Sequence, residues 1–82
     1  DWTEQVGRLL EQLEQRDGVN QRDLGEVLAG EGGSPEERWR WLSRRLIQED
    51  LISESDDGAQ RLWLRPAGRS YLLQPWPLRW AA

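Results

Sequence analysis

Apolar residues in the first half of the chain recur every three or four positions. Val6, Leu9, Leu10 and Leu13 form one stripe that predicts a helix over 3–16, and Trp2 can join it from just before. Asp17-Gly18 stops that helix, with Gly18 able to take the left-handed cap. Asn20 reads as an N-cap with Asp23 three residues on, and a short second helix over 21–29 buries Leu24, Val27 and Leu28. Gly30-Glu31-Gly32-Gly33 reads as a flexible loop. Ser34-Pro35-Glu36-Glu37 is the strongest local signal: Ser34 caps, Pro35 takes the first helical position and Glu37 closes a capping box. A third helix runs from there to about Glu49.

Beyond it the period changes to two. Leu51 to Ser55 reads as a strand, Asp56-Asp57-Gly58 as a hairpin turn, and Arg61 to Arg65 as the return strand. Leu62 and Leu64 share one face of that strand; Arg61, Trp63 and Arg65 share the other. Pro66 ends it and opens a final helix holding Tyr71, Leu72 and Leu73. Pro75 and Pro77 keep the tail from being regular. The predicted fold is mainly α with a β-hairpin: a winged helix, a helix-turn-helix with a wing after it. It occupies 1–73, with a Trp- and Pro-containing tail over 74–82. A chain of 82 residues has no room for a second core.

Composition narrows the chemistry. There is no Cys and no His, so disulfides, thiolate nucleophiles, imidazole catalysis and the usual zinc ligands are excluded. No nucleophile–base pair stands out, and the domain itself is expected to be non-catalytic and free of cofactor or metal. No apolar run approaches membrane-spanning length. The start at Asp1 without Met suggests an excised fragment or a processed chain.

The net charge of −4 counts against nucleic-acid binding as a default, because phosphate neutralisation dominates such affinity. The average conceals blocks. Residues 1–33 carry −5, residues 34–48 +2, residues 49–60 −5 and residues 61–82 +4, and every basic residue is Arg. One basic block coincides with the third helix; the other spans the return strand, the final helix and the tail.

On a helical wheel of the third helix, Trp39, Leu42 and Leu46 share the buried sector. Glu37, Trp41, Arg44 and Gln48 lie opposite, with Arg38, Arg40 and Arg45 at the flanks. Arg supplies forked phosphate contacts and Trp a stacking platform. Ser34, Arg38, Trp41, Arg44 and Arg45, with Arg61, Trp63 and Arg65 of the wing, are therefore the candidate DNA-binding residues. A plainer reading stands beside this one. The arginines pair with nearby acids, Trp41 packs under the tail, Trp63 meets Trp76 or Trp80, and Arg69 sits in an internal ion pair.

Two stretches carry a resemblance. Trp39-Arg40-Trp41-Leu42-Ser43-Arg44-Arg45-Leu46-Ile47-Gln48-Glu49-Asp50-Leu51-Ile52 and Leu62-Trp63-Leu64-Arg65-Pro66-Ala67-Gly68-Arg69-Ser70-Tyr71-Leu72 are similar to the winged-helix RQC domain of RecQ-family DNA helicases. Asp1-Trp2-Thr3-Glu4-Gln5 resembles the way that domain begins, so the similarity runs from Asp1 to Leu73. The sequence departs from the family pattern at four places. Asp50 stands where Gly is usual, Arg65 replaces a helix-capping Thr, the Gly30–Gly33 loop is shorter, and the wing tip has no aromatic.

The resemblance implies an accessory domain that binds duplex or forked DNA beside a helicase core in the same chain. ATP and Mg would serve that motor, and the setting would be the cytoplasm (the bacterial nucleoid) or the nucleus. It also implies a wing able to act as a strand-separating pin, which the acidic tip argues against. The alternative is a protein–protein interaction winged helix with little or no DNA affinity, favoured by the acidic average and the Trp/Pro tail.

Overall fold

The predicted elements form in the predicted order in a computed structural model that describes residues 1–32 and 35–82. The helices are α1 (Thr3–Gln15), α2 (Gln21–Gly32), α3 (Glu36–Gln48) and α4 (Pro66–Leu73). The strands are β1 (Val19–Asn20), β2 (Ile52–Glu54) and β3 (Arg61–Leu64), and Arg79–Ala81 forms a 3-10 turn. The domain is mainly helical, with one three-stranded antiparallel sheet in the order β1-β3-β2.

The hairpin thus gains a third strand that the alternation does not reveal. Val19 pairs with Leu62 and Asn20 with Arg61. Two residues show no period, so β1 is invisible to pattern reading. Asn20 also caps α2 as expected, its side-chain oxygen accepting the Asp23 N–H at 2.8 Å.

Three further expectations are corrected. The loop expected from Gly30 is helical as far as Gly32, because α2 is anchored by buried Leu24 and Leu28 and half-buried Ala29. That packing outweighs the roughly 1 kcal/mol cost of a helical Gly. Pro35 sits one position before the helix rather than at its first residue: its ψ of 148° is extended, and its carbonyl accepts the Arg38 N–H at 3.0 Å. Glu37 is then the second helical residue, one short of the capping-box position. Ser34 and Gly33 lie outside the described residues. The hairpin connection spans Ser55 to Gln60 rather than three residues, with Gly58 at φ 84° and Gln60 at φ 54°.

The core is continuous. Val6, Leu9, Leu10 and Leu13 of α1 meet Leu24 and Leu28 of α2, Trp39, Leu42 and Leu46 of α3, and Ile52, Leu62 and Leu64 of the sheet. Val27, expected in the core, is only half-buried. Trp39 is 1% exposed, as the wheel requires, and the Ser43 hydroxyl donates to the Trp39 carbonyl at 2.9 Å.

The turn from α3 into β2 fixes where the hairpin points. Asp50 is left-handed at φ 63°. The Leu51 N–H bonds the Leu46 carbonyl at 3.1 Å and the Asp50 N–H bonds the Ile47 carbonyl at 3.1 Å, the two bonds of a Schellman cap. Leu46 and Leu51 are both buried and supply its hydrophobic contact. This is the position where Gly would be usual, and the backbone explains why Gly suits it.

α4 then docks on the same corner. The Arg65 N–H bonds the Leu51 carbonyl at 3.0 Å, and a Cβ on Gly68 would lie 2.3 Å from that carbonyl oxygen. Only Gly allows the approach. The tail is not loose: Ala81 is fully buried and its carbonyl accepts the Trp2 N–H. The radius of gyration, 11.6 Å, is what a folded chain of this length gives, about 12 Å.

Candidate nucleic-acid interface

α3 presents its arginines on two ridges. Arg38, Trp41 and Arg45, spaced three and four residues apart, line the ridge next to the chain termini. Trp41 stacks on Trp2 with ring centroids 4.8 Å apart and meets Trp80 edge-on at 6.2 Å. Arg38 lies over the Trp2 ring at 4.3 Å and Arg45 over Trp80 at 5.2 Å. Arg45 also pairs with Glu49 at 3.5 Å. Trp41 nevertheless stays 48% exposed.

The second ridge carries Arg40 and Arg44. Arg40 is 3.9 Å from Glu36, and Arg44 pairs with Glu54 at the end of β2. Exposed pairs of this kind contribute about 0–1 kcal/mol, so they orient the guanidinium groups more than they bind them.

The hairpin keeps its arginines differently. Cross-strand partners share a face, and the register pairs Ile52 with Leu64, Ser53 with Trp63 and Glu54 with Leu62. Leu62 and Leu64 are buried toward the helices; Arg61 and Trp63 therefore face away from them. Trp63 is half-buried against Gly18, where a Cβ would lie 3.3 Å from its indole nitrogen. The partner of Trp63 is thus the turn after α1, not Trp76 or Trp80. The Arg61 guanidinium donates to the Gly18 carbonyl at 3.1 Å. Arg65 precedes α4 and is exposed. Among the described residues neither Arg61 nor Arg65 has a carboxylate at ion-pair distance.

The two Arg–Trp clusters consequently lie on opposite sides of the sheet, α3 packing on the side of Ile52 and Leu62. The sequence places the residues correctly on each element but cannot show that they fail to merge into one face.

The wing tip is negative. Asp57 accepts the Ala59 N–H at 2.9 Å. That bond, then the Ser55 hydroxyl, and finally the nearby Arg61 charge hold the Asp57 carboxyl below its ordinary range. It therefore stays ionised through neutral pH, beside an equally exposed Asp56.

Trp41 does pack against the tail, through Trp80, as the plainer reading expects, whereas the contact of Trp2 with Trp41 is new, the sequence having placed Trp2 with the α1 stripe. Among the described residues no group of three or more His, Cys, Asp or Glu side chains could hold a metal ion, and no helix is long and apolar enough to cross a membrane. No protein-family model, no curated protein and no solved structure matches the chain.

Proposed function

We propose that the chain is a DNA-binding winged-helix domain of the RQC kind, an accessory module beside the ATP- and Mg-dependent motor of a RecQ-like helicase. The observation that carries this reading is the element order α1-β1-α2-α3-β2-β3 closing an antiparallel sheet in the order β1-β3-β2. On this reading α3 is the second helix of a helix-turn-helix and the β2–β3 hairpin is its wing. The domain does no chemistry; it binds duplex or forked DNA, and the helicase core belongs elsewhere in the same protein.

Phosphate contacts come chiefly from Arg61 and Arg65 on the wing side, which have no carboxylate at ion-pair distance among the described residues, and Arg40 and Arg44 of α3 form a second basic surface on the other side of the sheet. Trp41, still 48% exposed, is the candidate for stacking. The tip does not separate strands. A pin must replace the base stacking it disrupts, about 1–3 kcal/mol per base, and Asp56 and Asp57 bring only charge of the wrong sign.

Titrating the domain with forked and blunt duplex at two salt concentrations tests the reading. Binding that weakens steeply with salt supports it, each neutralised phosphate adding about −0.9 to the log–log slope. Absence of binding at low salt refutes it and favours the second reading, a protein-interaction winged helix. One observation supports that alternative: Arg38, Trp41 and Arg45 are already engaged by Trp2, Trp80 and Glu49.

A further inference from the structure

The chain folds its own C-terminal segment onto the outer ridge of α3. Residues 74–82 leave α4 through Pro75 and Pro77, which have no backbone N–H to donate. The segment is attached to α4 by an aromatic contact, Trp76 edge-on against Tyr71 at 5.1 Å. Arg69 of α4, expected in an internal ion pair, has none among the described residues. At α3, the Arg45 guanidinium lies over the Trp80 ring at 5.2 Å, and Trp80 meets Trp41 edge-on at 6.2 Å. Beyond Gln74, one backbone hydrogen bond ties the segment to the rest of the domain among the described residues, from the Trp2 N–H to the Ala81 carbonyl.

The seat is imperfect in one respect. The Trp80 indole N–H and the Arg45 Nε–H are both shielded from solvent, and neither finds an acceptor among the described residues. A shielded donor without an acceptor gives up its hydration for nothing, so the seated tail carries a cost that release removes. Ring packing and the buried Ala81 hold the tail down; two orphaned donors and a single backbone tie work against it. Segments balanced in this way open locally while the core stays folded.

The seat also closes α3. A helix with its side chains is about 10–12 Å across, and the major groove of B-DNA is about 12 Å wide. A bare helix ridge fits that groove; a ridge carrying Trp2 and Trp80 as a second layer does not. We infer that residues 74–82 are a releasable strap that holds the Arg38–Trp41–Arg45 ridge closed, and that duplex DNA gains this ridge as a second contact surface when Trp80 lifts. The inference rests on the DNA reading and adds that the domain carries its own inhibitor of α3. The inhibition acts through packing rather than charge: residues 74–82 hold one Arg and no acid, so salt alone does not release them.

The test is an NMR titration of the whole domain with a short duplex at low salt, comparing the unaltered chain with Trp80→Ala. In the unaltered domain the shifts should centre on 61–65. Trp80→Ala should add shifts at 38–45, with binding there about tenfold tighter, because the closed population no longer competes. Changing Arg45→Ala as well should remove the added shifts. Identical patterns in the unaltered domain and in Trp80→Ala overturn the inference and leave the DNA reading standing. Absence of shifts in both refutes the DNA reading, and the inference falls with it. Release itself is read without DNA or substitution, by amide hydrogen exchange of the unaltered domain. The Trp2 and Ala81 N–H groups should exchange at least about a hundredfold faster than the Leu51 N–H, which is bonded in the α3 cap. Exchange of all three at one rate would mean that the tail leaves only when the domain unfolds, and would overturn the strap whatever Trp80→Ala does.

Discussion

The Arg–Trp cluster on α3 and the one on the wing have almost the same composition and opposite circumstances. On α3, Arg38 and Arg45 lie over the rings of Trp2 and Trp80, and Trp41 is held between those rings. On the hairpin, Arg61 is fixed by a neutral carbonyl and has no carboxylate at ion-pair distance among the described residues, although Asp57 is near enough to feel its charge. The acids are placed differently: Glu36, Glu54 and Glu49 pair with Arg40, Arg44 and Arg45 of α3, whereas Asp57 stands near Arg61 without pairing with it. Residue types therefore identify a candidate surface, but the neighbours of each charge decide how much field it projects.

The contrast depends first on how α3 is rotated. Trp39→Ala should cost about 3–5 kcal/mol on denaturant titration, as for other buried aromatics; a loss below about 1 kcal/mol would mean that Trp39 is not the residue fixing α3. It depends next on the seat of α4, which positions Arg65. Gly68→Ala forces a backbone carbonyl aside and should cost about 2–3 kcal/mol in chemical denaturation. Unchanged stability would show that α4 does not sit this close to Leu51.

Smaller effects sharpen the picture. Trp41→Ala removes two ring contacts and should cost about 1 kcal/mol. If thermal melting is unaffected, the termini do not engage α3 and the two clusters are alike after all. Asp50→Gly relieves a left-handed residue at φ 63° and should stabilise by up to about 1 kcal/mol. A destabilised variant would mean that the cap has another conformation.

The helices and the hairpin were legible because each obeys a period. Val6 to Leu13 at helical spacing and Leu62/Leu64 at alternating spacing state their own burial. β1 was not legible, because Val19 and Asn20 become a strand only by pairing with Leu62 and Arg61. The helical run through Gly30 was hidden by glycine's poor propensity, which tertiary packing overrode. The candidate site was legible residue by residue and not as a surface. Arg38, Trp41, Arg44, Arg45, Arg61, Trp63 and Arg65 are all at least partly accessible. Their division between two sides of the sheet comes from strand register and from a tail that folds back over α3. Neither is written in local spacing.

The central claim is that the wing side, more than the ridge beneath the termini, meets phosphate. Salt titrations of duplex DNA binding by two double variants test it directly. Arg61→Ala with Arg65→Ala should flatten the log–log salt slope by about 1.8, roughly 0.9 for each lost contact, while Arg38→Ala with Arg45→Ala should change it by less than about half of that. A slope that survives loss of the wing pair and collapses with the α3 pair would contradict the account.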